Sequence, residues 1–436
     1  MTSSLSEVVR LTDFSLVKNR KNMRSTKIKY LILGAGPAGL TFATKLRDLG
    51  ENDFLVLEQE FTAGGLCRSC SVDGFPFDIG GGHFLDVRIP YVNDFLFRFL
   101  PKEEWNSFIR RSCIAIGENF VDHPIEANIW QMDINSQIEY LKSIAVAGCV
   151  QGKPLPANFV DWIYWKLGSK IASEYMIPYN NKMFADDLNV LGTYWLEKLP
   201  DVNFEEILRS CLEHKAYGKQ PAHAEFLYPK KYGYGELWLR MANVLEGRIE
   251  YNSSIKKINF DTKTVGTADG RSYTAEKIIV TIPWMGIEEM LGVPEKIRDN
   301  IKKLKTNAVE TRYYPDNLDT MAHWIYYPDP KLPYHRILVR HNFSPKSKGY
   351  WTETRRERVS LVSEVESKYF SYMNNYAYPL NTIEKPGIMS ALLAYGEKHA
   401  IYGLGRWGEH SHYNSDVVVD LSIRLAEKIV KNGKIY

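Results

Sequence analysis

Cysteine is scarce in this chain. The five present, Cys67, Cys70, Cys113, Cys149 and Cys211, follow no regular spacing. An odd, irregular set builds no disulfide framework and points to a reducing compartment. Charge of one sign is lacking too: 55 Lys and Arg against 52 Asp and Glu leave +3, no surplus that calls for nucleic acid. No apolar run approaches the ~18 residues of a spanning helix, so no membrane span is expected. The stretch from Met1 to Ser25 lacks an apolar centre, which excludes a secretory signal. Residues 1–26 are expected to form a mobile leader, with Met23 as a possible later start, on a cytoplasmic protein. No pattern specifies a metal site or an oligomeric state.

What the chain does have is length and aromatics. Its 436 residues, 44% of them hydrophobic, allow two or three domains and a large core. The 27 Tyr and 10 Trp are best explained by that core, with stacking surfaces in a cleft as the rarer use.

The strongest local signal runs from Lys27 to Glu58. Tyr30 to Leu33 reads as a buried parallel strand. Gly34-Ala35-Gly36-Pro37-Ala38-Gly39 follows, and then a helical pattern that Gly50 can end. Gly34 permits the tight turn, Gly36 lets backbone approach a pyrophosphate, and Gly39 lets the helix pack on the sheet. Pro37 suits the first helical turn, and the helix N-terminus attracts phosphate. The second strand ends at Glu58, whose carboxylate suits a ribose diol and repels a 2′-phosphate. Strand, glycines, helix and acid together predict a dinucleotide site.

Two more glycine loops follow. Gly64-Gly65-Leu66-Cys67-Arg68-Ser69 brings backbone toward the same cofactor, with Arg68 and Ser69 able to touch phosphate or ribityl groups. This account is preferred to a CxxC redox pair. Gly80-Gly81-Gly82-His83 places three costly glycines before a histidine, which suggests close approach to something flat and makes His83 a candidate active-site residue.

The Gly34–Gly39 motif, Glu58, Gly64-Gly65 and the loop ending in His83 resemble the flavoprotein amine oxidase superfamily, which binds FAD. Within it, the glycine-glycine-histidine loop resembles the UDP-galactopyranose mutases. The segment Pro178-Tyr179-Asn180-Asn181-Lys182-Met183-Phe184 resembles the mutase motif Pro-Tyr-Asn-x-Lys-x-Trp, with Phe184 in place of the aromatic at the uridine base. Lys198 stands where the mutases have a diphosphate-binding arginine, offering a point charge instead of a planar fork. His123 stands for a tyrosine. Arg336, after Tyr334, occupies the place of the second diphosphate arginine, whose paired donors match phosphate oxygens. Gly405-Arg406 resembles the second FAD signature, with His410 and His412 near positions usually aromatic, followed by Tyr413. Asn414 or Ser415 can cap the last helix, whose N-terminus would favour anionic, reduced flavin.

The resemblance implies an α/β fold in three parts. A discontinuous FAD-binding Rossmann-like domain is expected from residues 27–90, 226–290 and 395–436. A helical domain is expected at 91–225, and an antiparallel β-sheet substrate domain at 291–394. Residues from Tyr91 to Leu212 read mostly as helix, with core stripes at Ile134, Ile138, Leu141 and Ala145 and at Phe159, Ile163, Trp165 and Ile171. Val359 to Val365 reads as strand. The activity implied is isomerisation of a nucleotide-diphosphate sugar, pyranose to furanose, through N5 of reduced FAD and without net redox change. NAD(P)H or another reductant would serve for activation alone. His83, Lys198 and Arg336 are the catalytic candidates, and Tyr179, Asn180, Phe184, Tyr334, His412 and Tyr413 the substrate candidates. The alternative is an FAD-dependent oxidoreductase acting on an amine, a porphyrinogen or a polyene, for which a chiefly apolar cleft would be needed. A non-enzymatic protein that keeps FAD for stability is the remaining reading.

Overall fold

Alternation along the first strand sets the layers. In the computed structural model, which describes residues 27–196, 201–218 and 223–433, β1 (Ile28–Leu33) is buried on both faces. Tyr30 and Ile32 join one apolar core, while Leu31 and Leu33 join another on the opposite side of the sheet. β1 pairs in parallel with β2 (Phe54–Leu57) and with the strand Ser272–Val280, which pairs in parallel with Ile401–Gly403. Strands Thr264–Thr267, Ile255–Asn259 and Glu289–Leu291 extend one edge, and Ile249–Glu250 the other. The sheet thus draws on the start, middle and end of the chain. The helices α1 (Pro37–Asp48) and Ser415–Gly433 supply Leu40, Ala43, Val419 and Ile423 to one core. The Lys385–Lys398 helix supplies Ile388, Met389 and Leu392 to the other. Gly39 is required here, because a Cβ would lie 1.9 Å from the Gly34 carbonyl oxygen.

A seven-stranded sheet stands against this unit. Its order is Ser371–Pro379, Thr306–Tyr314, Tyr350–Arg355, Arg336–Leu338, Trp324–Tyr326, Ser112–Ile116 and Asn119–Asp122. A helical group has its own core, including Phe159, Ile163 and Ile171. The mixed α/β fold is the one expected.

Three local expectations are corrected. The stretch from Tyr91 to Leu212 is not mostly helix over 105–122: Trp105–Ile109 pairs with Glu225–Pro229, and the next two strands extend the seven-stranded sheet. Short runs such as Ser112–Ile116 fit either element, and sheet partners far along the chain decide. Ile134 and Ile138 are 72% and 44% exposed, because that helix buries the side carrying Tyr140 and Ile144. Arg356–Leu361 is a 3-10 helix rather than strand. Among the described residues, no helix is long and apolar enough to cross a membrane. The leader with Met23, and Lys198, lie outside the described residues.

Candidate active site

An elongated cavity of about 420 Å³ opens where β1 meets α1. Gly34, Gly36, Pro37 and Ala38 line it beside Glu58. Gly36 precedes α1 without a side-chain cap, and the first turn carries no acidic residue, so its N–H groups remain for an anion. Across the gap, Gly64 donates its N–H to the Ala35 carbonyl at 2.8 Å. A Cβ on Gly65, whose φ is +53°, would come within 3.2 Å of Gly36 Cα. The two glycines therefore leave a backbone-lined slot. Glu58 Oε2 accepts the Ala35 N–H at 2.7 Å and Oε1 that of Glu60 at 2.9 Å, fixing the carboxylate at one end. Burial raises its pKa, and the two N–H donors oppose the rise.

Arg406, His83, Tyr413 and Ser415 lie farther along, with Tyr372 to Tyr376 of the second sheet. Arg406 donates to the carbonyls of Tyr413 at 2.9 Å and Ala377 at 3.2 Å, and no described carboxylate pairs with it. A half-buried guanidinium held by neutral groups suits an anionic ligand. Glycine slot, buried carboxylate, open helix end and a cation without a described carboxylate partner fit FAD. His83 donates Nδ1–H to the Gly81 carbonyl at 3.2 Å, which leaves Nε2 as an acceptor. Burial, with Arg406 nearby, lowers its pKa to about 4, so the ring is neutral near pH 7.

Leu66 and Arg68 also line the cavity. Arg68 is occupied by Glu60, Tyr372 and the Gly65 carbonyl, each at 3.0 Å. Gly39, Gly64, Ser69, Gly81, Gly82, Gly405 and Asn414 do not line it. Ser69 instead bonds Asp78 and accepts the Gly235 N–H. Gly405 has φ +73°, and a Cβ there would lie 2.7 Å from Ala38 Cβ, so it seats one helix on the other. The triple glycine is explained by the protein itself. A Cβ on Gly80 would meet the Leu66 carbonyl oxygen at 2.0 Å, on Gly81 Glu353 Oε1 at 2.1 Å, and on Gly82 Leu338 Cδ2 at 2.1 Å. Cys67 and Cys70 are both free, and burial pushes their thiols up to about 12 and about 11.

The seven-stranded sheet carries a cross-strand row whose successive partners are Tyr326, Arg336, Glu353, Thr311 and Tyr372. It runs from the helical group, where Tyr326 meets Tyr179 at 5.4 Å, to the cavity, which Tyr372 lines. Arg336 is clamped by Glu353, with Nη2 2.7 Å from both oxygens and Nε 3.0 Å from Oε2. No described residue accepts from Nη1. Arg336 and His335 hold the Glu353 pKa well below the usual carboxylate range despite burial.

The remaining substrate candidates divide. Tyr179 is buried and faces Tyr326 and His335. Tyr334 meets Tyr327 edge-on at 5.2 Å. His412 lies 4.8 Å from the Tyr378 ring, and Tyr413 lines the cavity. Asn180 does not reach a cleft: its side chain donates to the Met176 carbonyl at 2.6 Å within its own helix. Phe184 is 6% exposed and packs on Trp195 inside the helical core, so it presents no open face for stacking. Glu353 and Tyr372 were missed by sequence reasoning. Period-two alternation in Tyr350–Arg355 and Ser371–Pro379 was the available signal, but strand register was needed to set them beside Arg336.

Two family models match the chain: an NAD(P)-binding Rossmann-like domain over residues 32–99 and a flavin-containing amine oxidoreductase over residues 171–316. Reduced UDP-galactopyranose mutase superposes with a TM-score of 0.83 at 22% identity, covering 93% of this chain and 94% of that one. A putative protoporphyrinogen oxidase from Exiguobacterium gives 0.67 at 14% identity, covering 93% and 99%. The chain has the fold of the FAD-dependent amine oxidase superfamily. With the two partial family matches, the fold supports a flavin cofactor. In sequence, the chain is 48% identical over 118 residues to an inactive all-trans-retinol 13,14-reductase of Danio rerio, which is 25% of this chain and 19% of that protein. It is 45% identical over 53 residues to an uncharacterized protein of Methanothermococcus thermolithotrophicus, 12% of this chain and 50% of the other. The chain therefore spans about a fifth of the first relative's length and half of the second's.

Proposed function

We propose that this protein is a flavin-dependent isomerase of a nucleotide-diphosphate sugar, interconverting pyranose and furanose forms. The observation that carries this reading is Arg336, a clamped guanidinium with a free Nη1, in a row that leads from the helical group to the cavity wall. The likeness to a reduced UDP-galactopyranose mutase across 93% of the chain supports the same reading.

In this reading residues 27–90, 226–290 and 395–436 hold FAD, while 91–225 and 291–394 enclose the sugar nucleotide. Gly36, Gly65 and the first turn of α1 would bind the cofactor diphosphate, and Glu58 its ribose. Bound FAD, once reduced by NAD(P)H or another reductant, supplies a nucleophilic nitrogen for the anomeric carbon. Arg336 Nη1 would donate to the substrate diphosphate and stabilise negative charge as it leaves. Lys198 would add a second positive charge. Neutral His83 brings no positive charge that would compete with Arg336 for the diphosphate, and its Nε2 can accept a hydrogen bond from a sugar hydroxyl. Tyr179, Tyr334 and Tyr378 would exclude water from the cleft. Phe184 is not assigned to base stacking, given its burial against Trp195.

The test is anaerobic incubation of the flavin-loaded protein with a panel of nucleotide sugars, with and without dithionite. Chromatography then looks for a product of unchanged mass. Isomerisation confined to the reduced enzyme is the outcome expected; its absence with every sugar removes the proposal. A flavin oxidoreductase is the second reading, favoured by Glu353 already neutralising Arg336. Bleaching of oxidised flavin by an amine, porphyrinogen or polyene would establish it.

A further inference from the structure

His335 is a buried titratable group to which the proposed reaction gives no task. It is 0% exposed, and among the described residues nothing hydrogen-bonds either ring nitrogen. An orphaned ring in the interior calls for an explanation. Its backbone is fixed, because the His335 N–H donates to the Glu353 carbonyl at 3.0 Å. Its Nε2 lies 3.3 Å from Glu353 Oε2, within ion-pair reach but out of line for a hydrogen bond. The same carboxylate holds Arg336, with Nη2 at 2.7 Å and Nε at 3.0 Å. From the Ile177–Met183 helix, the Tyr179 ring stands edge-on at 6.0 Å, and Lys182 adds a positive charge. Burial lowers the pKa of His335, Glu353 opposes the fall, and Arg336 and Lys182 add to it.

Arg336 and Glu353 cancel each other's charge, and His335 beside them is neutral. A diphosphate at Arg336 Nη1 brings extra negative charge to a place where burial makes it costly. It also draws on the guanidinium and leaves Glu353 less neutralised. One proton from solvent on His335 offsets both. The imidazolium carries N–H on both nitrogens, so Nε2 can donate to Oε2 with full charge. His83 and His123 suit this task less, because Arg406 and Arg110 stand beside them. We propose that His335 takes up a proton when an anion binds at Arg336, so that substrate affinity rises with acidity. The gain is present below the pKa of the ring in the complex and is lost as pH rises through it. His335 is a positioning residue: it acts through Glu353 on Arg336. The proposal rests on the reading of Arg336 as the substrate-anion anchor.

The probe is UDP-glucose, whose diphosphate is a diester and stays fully ionised throughout. It is titrated by calorimetry into the oxidised, flavin-loaded full chain from about pH 8 down to about pH 5. Paired buffers of unlike ionisation enthalpy count the protons taken up. The wild type is expected to bind up to about one proton per ligand, with Kd falling by up to about tenfold per pH unit. His335→Gln cannot take the proton. It should show no uptake and a flat Kd that matches the wild type near the upper end of the range. Structural damage would instead weaken binding at every pH. Lys182 is the competing proton site, since burial brings its pKa down to about 7. Uptake that survives in His335→Gln and disappears in Lys182→Met moves the proton to the lysine and overturns the proposal. Absence of uptake in the wild type overturns it as well. If His335→Gln loses its flavin, His335→Asn takes its place; loss from both makes the ring structural and overturns the proposal. Failure of UDP-glucose to bind the wild type, or equal binding by Arg336→Met, has a different meaning: it removes the anion-anchor reading itself.

Discussion

Arg336→Ala removes two things of unequal size. The first is the proposed donor to a substrate phosphate, worth about 1.5–3 kcal/mol as a charged hydrogen bond. The second is the partner of a carboxylate that is 1% exposed and held by paired N–H donors. Breaking a buried ion pair from one side costs about 3–5 kcal/mol, because the remaining charge is stranded. His335 and the Gly82 N–H still face Glu353, which puts the expected loss near the lower figure, about 3 kcal/mol. Stability should therefore suffer more than binding. Urea midpoints of the flavin-loaded protein measure the first effect, and the Kd for UDP the second. The double variant Arg336→Met with Glu353→Gln removes both charges but keeps an oxygen for Gly82. It should recover most of the stability while binding UDP at least about tenfold more weakly than wild type. A loss under about 1 kcal/mol in Arg336→Ala, or a double variant less stable than the single one, would refute the buried-pair argument. Unchanged UDP affinity in both would take Arg336 out of the substrate site.

Further perturbations separate the roles of other residues. Gly39→Ala should abolish flavin retention, since its Cβ would sit 1.9 Å from a backbone oxygen, whereas Gly50→Ala, at φ +84° in open space, should cost only about 1 kcal/mol; flavin content and urea midpoints check both. Glu58→Ala should weaken FAD binding by roughly tenfold or more, read by the flavin retained after dialysis. His83 has a folded-state pKa near 4, against 6.5 when unfolded, so its contribution is complete above pH 6.5 and is lost as pH falls toward 4. Relative to His83→Gln, the wild type should lose up to ~1.4 kcal/mol per pH unit across that window, and a pH-independent difference would refute the burial of a neutral ring. Phe184→Trp restores the family residue on paper, yet overpacking against Trp195 should destabilise the helical core by about 1–3 kcal/mol without tightening UDP binding.

The cofactor end of the cavity could be read from local sequence, because Gly34 to Gly39, β1 and Glu58 fall within about thirty residues whose spacing is itself the physical requirement. The cross-strand row that ends at Tyr372 on the cavity wall could not. Arg336 was visible as a residue, but Glu353 becomes its partner only through the register that sets the Arg336–Leu338 strand beside Tyr350–Arg355. The triple glycine was read as close approach to something flat, but the groups that approach it are Leu66, Glu353 and Leu338. The strands at 105–122 failed for want of periodicity: short apolar runs suit helix or sheet, and tertiary pairing with Glu225–Pro229 and Trp324–Tyr326 decided them.

The central sheet has a consequence for how the protein is made. β1 lies beside a strand ending at Val280, and that strand lies beside Ile401–Gly403. Contacts so distant along the chain raise the contact order and delay assembly. A growing chain would expose the apolar faces of β1 and β2 until late in synthesis, and Arg406 would reach the cavity after nearly everything else. Flavin capture therefore belongs to the last stage of folding, and a fragment ending before Ile401 should emerge empty and prone to aggregate.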